Sequence, residues 1–267
     1  MPERSARNEL RPRRIQRYGW VPDIPDARDL MFAAPEPVIR TLPRAMDLRP
    51  QMPAVYDQGQ LGSCTANAIG GAFEFVQLKE GLPDLIPSRL FIYYNERLLE
   101  GTVDQDSGAM IRDGMKIIHK LGACSENTWT YEIEKFTAKP PDQAYTEALD
   151  HQVLVYRRVQ QVLRQMQGCL AAGYPFVFGF TVYDSFESEE VAKTGVVPLP
   201  APTESVLGGH AVLAVGYDDE TQRFIVRNSW GPGWGMAGYF TMPYGYLTDA
   251  SLAQDFWTIR IVETPAS

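Results

Sequence analysis

The cysteine best placed for covalent chemistry in this sequence is Cys64, within QGQLGSCTANA. Ile69, Phe73 and Val76 follow it at helical spacing, which predicts a helix that begins at Cys64 and stops before Gly81. A thiol in the first turn of a helix faces the positive end of the macrodipole, which favours the thiolate and lowers the thiol pKa. Cys64 is therefore a candidate nucleophile, although a small buried side chain is the commoner role of a free cysteine.

A nucleophilic thiol needs a base within hydrogen-bond reach, and His210 is the best candidate among the three histidines. It opens a predicted strand, GGHAVLAVGY, and the two glycines before it give the backbone the freedom to turn there. His119 and His151 are more simply interpreted as a residue near a helix end and a residue of a connecting segment. The alternative for His210 is a polar core position.

Asn228, in RNSWGPGWGMAGY, and Gln58, six residues before Cys64, are candidate partners of this pair. The amide oxygen of Asn228 could accept the imidazole N–H and fix the ring, with Trp230 shielding that hydrogen bond from water. The Gln58 amide and the backbone N–H of Cys64 could donate to a developing oxyanion. Taken alone, the Asn228 segment also fits a turn, and Gln58 also fits a surface residue.

The order Gln, Cys, His, Asn resembles that of the papain family of cysteine peptidases. The resemblance covers about residues 47–261 and is most specific in FIVRNSWGPGWGMAGYF. His210 follows Cys64 by 146 residues and Asn228 follows it by 164. The resemblance implies a cysteine endopeptidase in which Cys64, His210 and Asn228 form the catalytic triad, while Gln58 and Cys64 form the oxyanion hole.

The same resemblance implies a substrate-binding surface around the cysteine. Ala211 and Gly179 border the pocket for the residue one before the scissile residue, which suggests an apolar preference, and Gly108 faces the substrate backbone. The full set implied for this surface is Ser107, Gly108, Gly179, Gly209, Ala211 and Trp230.

Two positions depart from the usual family pattern. Leu61 stands where the family usually has a cysteine, and Thr65 stands where a tryptophan commonly follows the nucleophile. These variants, and the segment YGWVPDIPDARD, resemble a bacterial branch of the family. Only about 42 residues precede the region of resemblance. We therefore expect regulation to differ from that by the family's long helical propeptide.

The elements that must position these residues change in character along the chain. Helical patterns occupy the first half, including PSRLFIYYNERLLEG with Ser88 as cap and DSGAMIRDGMKIIHKLG. After a stretch near 132–152 that reads as a connection and one more helix, QQVLRQMQGCLAAG, the patterns are those of strands. The strand segments are PFVFGFTVY, HAVLAVGY, RFIVRNS, GYFTMP and FWTIRIVE, with DDETQ as a turn.

This order predicts an α+β protein. With the family resemblance, it implies a papain-like two-lobed fold in which a cleft separates a helical lobe from an antiparallel, β-barrel-like lobe. We expect an N-terminal arm over 1–42, a mainly helical lobe over 43–155, a β-rich lobe over 156–262 and a tail over 263–267.

The composition fits an ordinary globular chain of 267 residues, 45% hydrophobic and 22% charged. Three cysteines and three scattered histidines provide neither a disulfide framework nor a structural zinc site, so we expect no metal and no cofactor. No apolar stretch approaches about 18 residues and no secretory signal is evident. We expect no membrane span, a monomer, and a cytoplasmic location by default, with a non-classical or effector export route left open.

The arm has a charge opposite to that of the rest of the chain. Residues 1–20 carry six Arg and two Glu, a net charge of +4, and the whole chain carries −8, so the remainder carries −12. This contrast predicts either a short pro-segment that lies across the cleft or an exposed basic tail. The arginines are also a candidate site for an anion or phosphate. The acidic body argues against nucleic-acid binding.

Two other functions fit the same residues. A transpeptidase or acyltransferase shares the cysteine, histidine and asparagine but prefers an amine to water as acceptor. A non-catalytic peptide-binding homologue usually lacks one of the catalytic residues, and none is missing here. Protein or peptide substrates are the partners expected of the leading interpretation.

Overall fold

The computed structural model describes residues 18–262, and within that range helices and strands divide the chain much as their patterns predict. The helices are α1 (Glu36–Arg40), α2 (Cys64–Lys79), α3 (Arg89–Glu100), α4 (Ile111–Lys120), α5 (Asp142–Ala148), α6 (Leu163–Ala171), α7 (Glu189–Thr194) and α8 (Tyr244–Thr248). The strands are β1 (Met31–Phe32), β2 (Ala45–Asp47), β3 (Val153–Val159), β4 (Phe176–Tyr183), β5 (Val206–Asp218), β6 (Arg223–Arg227), β7 (Tyr239–Pro243) and β8 (Ala253–Val262).

The strands form one sheet in the order β1-β3-β8-β4-β5-β6-β7, and β2 pairs with β5 beside this path. All pairs are antiparallel except β1 with β3. The α+β prediction is confirmed. Because β1 and β7 lie at opposite ends of the order and do not pair within residues 18–262, the sheet is open and not a closed barrel.

Helix α2 is the central helix of the molecule. It begins at Cys64 as predicted, packs against β5 and β8, and is buried on every side from Cys64 to Gln77. Helix α3 also follows its sequence signals: the Ser88 side chain accepts the Phe91 N–H, and Gly101 ends the helix with a left-handed φ of 73°. The start of α2 therefore fixes where the Cys64 side chain lies.

Some elements differ from the sequence expectation. The stretch at 132–152 is not only a connection, because α5 lies within it and buries Ala144 and Ala148 against Phe91. Strand β3 was also missed, since its partly buried residues give no clear alternation of polar and apolar side chains. The division into lobes at 155 stays a prediction, and β1 and β2, from the first part of the chain, complete the sheet of the second part.

The described part of the arm, residues 18–42, is mostly irregular but contains β1 and α1. Phe32 of β1 is buried in the main core, so this part of the arm belongs to the folded body. The predicted anion site on the N-terminal arginines and the tail over 263–267 lie outside the described residues. Across 18–262, no helix has the length and apolar character needed to cross a membrane.

Candidate active site

Cys64 lies at the first turn of α2, at the junction of helix and sheet. Its side chain is completely buried, and the backbone N–H of Ala211 in β5 donates to its Sγ atom at 3.3 Å. The backbones of Gly19 and Thr65 also hydrogen-bond the sulfur. Because Ala211 directly follows His210 in β5, this contact brings the start of the helix next to the strand that carries the imidazole.

The expectation of a lowered thiol pKa is wrong for this arrangement. Burial is the largest effect and raises the pKa of Cys64 to about 12, despite the N–H groups of Ala211 and Gly19 that favour the thiolate. Loss of hydration disfavours the charged form more than the helix terminus and these hydrogen bonds favour it. Gly19 belongs to the arm, so one of the backbone groups that favour the thiolate comes from the arm.

His210 and Asn228 form the hydrogen-bonded pair that the sequence predicts. The Nε2 atom of His210 lies 2.8 Å from the Oδ1 atom of Asn228, which also accepts the Ser229 N–H. Both side chains are buried, and the Trp230 ring lies over the imidazole with ring centroids 5.1 Å apart. Shielding from water strengthens this hydrogen bond and fixes the ring orientation.

Gln58 is buried beside this pair and is not a surface residue. Its loop pairs with the Asn228 segment, since the Gln58 N–H donates to the Ser229 carbonyl at 2.8 Å. The Ser229 hydroxyl donates to the Gln58 Oε1 atom at 2.6 Å, and the Gln58 Nε2 atom donates to the Leu61 carbonyl at 2.9 Å. An amide NH₂ has two donors, so Leu61 takes only one of them.

The family model described as papain family cysteine protease matches residues 42–258. This chain belongs to the papain family. An uncharacterized peptidase C1-like protein of Acanthamoeba polyphaga mimivirus is 44% identical over 273 residues, which cover 93% of this chain and 88% of the relative. Membership in the family identifies the chain as a papain-like cysteine peptidase.

Solved structures show the same relationship. Xylellain, a cysteine protease from the bacterium Xylella fastidiosa, is 46% identical, with a TM-score of 0.87 over 95% of this chain and 98% of that chain. Procathepsin B of Trypanosoma congolense, at 20% identity and a TM-score of 0.75 over 92% of this chain and 86% of that one, shares the fold. The predicted papain-like fold is confirmed, as is the resemblance to bacterial members.

Residues 19–21 of the arm lie between the helical part of the chain and β5. The Ala109 N–H donates to the Gly19 carbonyl at 2.7 Å, the Val21 N–H donates to the Ala109 carbonyl at 3.0 Å, and the Trp20 N–H donates to the Gly209 carbonyl at 3.0 Å. Two strand-like edges therefore hold the arm, one on the helical side and one on β5. Whether the arm blocks the active site stays a prediction.

Gly19 is the arm residue closest to the helix start. A Cβ atom at this position would lie 1.6 Å from the Gly62 carbonyl oxygen, and a Cβ on Gly108 would lie 2.3 Å from the Gly19 carbonyl oxygen. Since real Cβ contacts do not fall below about 3 Å, only glycine fits at either position in this arrangement. The arm is therefore in close backbone contact with the loop before α2 and with Gly108.

Several of the predicted substrate-binding residues contact the arm instead of solvent. Gly179 and Gly209 lie against the Trp20 ring, and a Cβ on Gly179 would lie 1.9 Å from that ring. Tyr18 packs edge-on against His210, with ring centroids 5.8 Å apart, and its hydroxyl donates to Glu187. Ala211 instead contacts the Cys64 sulfur, and the Ser107 hydroxyl bonds to Thr102 and to the Gly108 carbonyl.

Ion pairs hold the described arm, but the charges are the reverse of those expected: the arm provides the carboxylates and the body provides the arginines. The arm carboxylate of Asp29 accepts from Arg112 at 2.8 Å and from Arg158 at 3.0 Å, and Asp23 pairs with the same two arginines at 3.2 and 3.1 Å. Arg158 also pairs with Asp255 at 3.2 Å. Acidic arm residues thus bind basic residues of the body, which net charge alone did not reveal.

Three functional candidates were missed from the sequence. Ala109 provides the backbone edge predicted for Gly108, Ser229 orients Gln58, and Asp255 accepts hydrogen bonds from the arm residue Trp20. Ser229 lies within RNSWGPGWGMAGY, so the sequence could have indicated it, whereas Ala109 and Asp255 belong to no recognisable motif. Within residues 18–262, no group of three or more His, Cys, Asp or Glu side chains could hold a metal ion.

Proposed function

We propose that this chain is a cysteine endopeptidase whose N-terminal arm holds the active site in an inhibited state. The observation that carries the proposal is the hydrogen-bonded pair of His210 and Asn228 next to Ala211, whose N–H donates to the Cys64 sulfur, together with the Gly19 backbone of the arm that hydrogen-bonds the same sulfur. Membership in a family of cysteine proteases supports the chemistry, and the buried contacts of the arm support the inhibition.

The reaction starts from the Cys64 thiolate and the His210 imidazolium. Because Asn228 accepts from Nε2 of the imidazole, Nδ1 is the ring nitrogen that exchanges a proton with the sulfur and with the leaving group. Sγ attacks the peptide carbonyl carbon, and the resulting tetrahedral intermediate collapses as the imidazolium protonates the departing amine. Water then attacks the thioester with His210 as base, which releases the acid and restores the ion pair.

The oxyanion is stabilised by two N–H donors beside the sulfur. One is the second amide N–H of Gln58, held in place by Ser229 and Leu61, and the other is the backbone N–H of Cys64 at the start of α2. Removal of one such donor typically costs about 3 kcal/mol of transition-state stabilisation. Gly108 and Ala109 on one side, and Gly209 on the other, provide the backbone groups that align an extended substrate.

The arm inhibits because it occupies these groups without offering a carbonyl to the sulfur. An amide N–H of Gly19 faces Sγ, while the Gly19 carbonyl is bound by Ala109. A thiolate attacks a carbonyl carbon, so this alignment does not lead to cleavage at that bond. When the arm is displaced, water can hydrate the Cys64 sulfur and a substrate can bind beside it.

The experiment uses the full-length chain. Gly19→Ala cannot fit against Gly62, so we expect it to expel the arm, and Gly245→Ala is the matched control because Gly245 is exposed with only ordinary contacts. Each protein is treated with an epoxide thiol inhibitor, and the mass added to the Cys64 peptide is followed over time. Hydrolysis of an internally quenched peptide, with the products identified by mass, separates an endopeptidase from a transpeptidase.

We expect Gly19→Ala to be labelled at Cys64 on the order of 10² times faster than the control and to hydrolyse the peptide. Equal labelling of the two variants would contradict inhibition by the arm. Fast labelling without hydrolysis would contradict the peptidase and favour a non-catalytic peptide-binding protein. Products joined to an added amine would favour transpeptidation.

A further inference from the structure

Glu96 is a carboxyl group buried next to the start of α2. It belongs to α3 and is completely inaccessible to solvent. Its Oε2 atom accepts the hydroxyl of Thr65, the residue after Cys64, at 2.9 Å, and its Oε1 atom has no hydrogen-bond partner within residues 18–262. A buried carboxyl lowers stability unless hydrogen bonds compensate for its lost hydration, and here a single hydrogen bond does so. The group is therefore a candidate for a functional role.

The α4 side of this site is a glycine. A Cβ atom on Gly114 would lie 2.2 Å from the Glu96 Oε1 atom and 2.3 Å from the Ile69 side chain. Glycine is less favourable than alanine within a helix. At this position, however, any larger residue would displace the Glu96 carboxyl from its place between α2 and α4.

Thr65 connects Glu96 to the Cys64 sulfur. Its side chain donates to Glu96, and its backbone N–H hydrogen-bonds Sγ. The N-cap residue, Ser63, makes no capping hydrogen bond through its side chain. The N–H groups at the start of α2 are thus left available for the sulfur and for an oxyanion. Without a cap, the first turn needs another contact that holds it, and the hydrogen bond between Thr65 and Glu96 is such a contact.

The same pair gives a reason for one departure from the family pattern. Thr65 stands where a tryptophan commonly follows the nucleophile. A threonine hydroxyl is separated from the backbone by one stiff rotatable bond, so a hydrogen bond to it also restrains the backbone. A tryptophan at this position has no hydroxyl to donate to Glu96, so the contact does not follow from the family pattern.

The charge of Glu96 affects the thiol. Burial raises the pKa of Glu96 well above its ordinary value, and Glu100 and Asp113 act in the same direction, whereas the Thr65 hydrogen bond and Arg97 oppose it. An ionised Glu96 would raise the pKa of Cys64. A neutral carboxyl instead holds the Thr65 hydroxyl without placing a negative charge near the thiolate.

We propose that Glu96 is a positioning residue for the nucleophile and acts, as a neutral acid, through the Thr65 hydroxyl. By fixing Thr65, it keeps the N–H of that residue on the sulfur and the N–H of Cys64 directed at the oxyanion. Glu96 touches no substrate and exchanges no proton in the reaction. This inference rests on the proposed function and adds a residue to it.

The first test compares Thr65→Val with Thr65→Ser in full-length Gly19→Ala. Valine keeps the branched shape without the hydroxyl, and serine keeps the hydroxyl. We expect Thr65→Val to lower kcat about tenfold with little change in KM, and Thr65→Ser to recover most of the loss. An unchanged kcat in Thr65→Val would overturn the proposal.

Thr128→Val is the matched control. The Thr128 hydroxyl also donates to a glutamate, Glu147, but the hydrogen bonds of its side chain involve no residue of the candidate active site. We expect it to lower the stability to urea and to retain the kcat of Gly19→Ala. An equal loss of kcat in the two valine variants would show a general effect on the fold and would overturn the proposal.

The second test changes the carboxyl in the same background. Glu96→Gln keeps an acceptor oxygen, and Glu96→Leu removes it. We expect Glu96→Leu to lower kcat about tenfold, Glu96→Gln to recover most of that loss, and Glu96→Leu to have little further effect once Thr65 is valine. Independent losses that multiply in the double variant would overturn the link through Thr65. Urea unfolding reports whether each variant is folded, and the Thr65 variants decide the question if Glu96→Leu is not.

A labelling measurement separates this inference from the proposed function. Alkylation of Cys64 by iodoacetamide needs the thiolate but no peptide hydrolysis, so its rate is followed against pH. Thr65→Val should move the half-maximal rate to higher pH, because the N–H on the sulfur is less well fixed, and Glu96→Gln should not move it. A shift to lower pH in Glu96→Gln would show that the carboxyl is ionised and would overturn its neutral role.

The two failures give different results. If Gly19→Ala does not hydrolyse peptides, the proposed function fails, and the shift in the labelling profile still tests the contact between Thr65 and Glu96. If Gly19→Ala hydrolyses peptides and Thr65→Val does so equally well, only the role of Glu96 fails.

Discussion

Cys64 and Cys169 are both completely buried, yet different parts of the molecule cover them. Burial raises the pKa of Cys64 to about 12 and that of Cys169 to about 11. Cys169 lies in α6 within the hydrophobic core, and its Sγ contacts the Tyr174 carbonyl at 3.5 Å. Cys64 is covered on one side by Gly19 of the arm. Burial alone therefore does not distinguish a candidate nucleophile from a packing residue; under the proposed function, the arm that contacts Cys64 must be able to leave.

The largest expected effect follows from removing each thiol in the full-length Gly19→Ala background. Cys64→Ala should reduce kcat/KM for peptide hydrolysis by at least about 10⁴-fold and change the free energy of unfolding by less than about 1 kcal/mol. Cys169→Ala should retain kcat/KM but lose about 1 kcal/mol of stability to the space it leaves in the core. Steady-state kinetics and urea unfolding measure both. Retained hydrolysis in Cys64→Ala would overturn the assignment of the nucleophile.

The next effect tests the hydrogen bond between Asn228 and His210, the base proposed for Cys64. In the same background, Asn228→Ala should lower kcat on the order of 10²-fold, because the imidazole loses the acceptor that holds Nε2. KM should change little. Asn228→Asp, which keeps an acceptor oxygen, should recover part of kcat and alter the pH profile. A loss in KM alone would indicate that Asn228 shapes the cleft and does not orient the ring.

A smaller effect tests whether ion pairs hold the arm in place next to Cys64. In the otherwise unchanged chain, Asp29→Asn removes the arm carboxylate that accepts from Arg112 and Arg158, and should raise the labelling rate of Cys64 about tenfold. Asp26→Asn is the matched control, because Asp26 lies on the same arm but pairs with the exposed Arg28. Labelling of Cys169 should remain slow in both. Equal rates of Cys64 labelling would mean that backbone contacts alone hold the arm.

The smallest effect is a pH dependence of the docking of the arm. Burial, together with the nearby Asp23, raises the pKa of Asp255 from 3.8 to about 7 while the arm is docked, with Arg158 acting in the opposite direction. Docking therefore takes up a proton, so the arm binds best at low pH and progressively less well as pH rises from about 4 to about 7. The measurable quantity is the Cys64 labelling rate of the unchanged chain divided by that of Gly19→Ala, which cancels the ionisation of the thiol.

We expect this ratio to increase as pH rises from about 4 to about 7 and to level off at higher pH, with a weaker change in Asp255→Asn. The opposite trend, faster release of the arm in acid, would show that loss of the ion pairs of Asp23 and Asp29 with the arginines outweighs the titration of Asp255.

Much of the fold could be read from local patterns. The starts and ends of α2 and α3 follow from Cys64, the Ser88 cap and the glycine at 101, because capping and periodicity act over a few residues. Strands β4 to β8 follow from runs of apolar residues. Short or partly buried elements such as α5 and β3 could not be found this way, since their conformation depends on the partners against which they pack.

The sequence by itself determined which side chains could do chemistry: the order of Gln58, Cys64, His210 and Asn228 identifies the papain family. The tertiary structure decided the state of these groups. The raised pKa of Cys64, the docking of the arm through Asp23 and Asp29, and the position of Asp255 behind Trp20 depend on contacts between residues far apart in the chain. Desolvation and ion pairing depend on which residues lie close together in three dimensions, so they cannot be predicted from residue order and net charge alone.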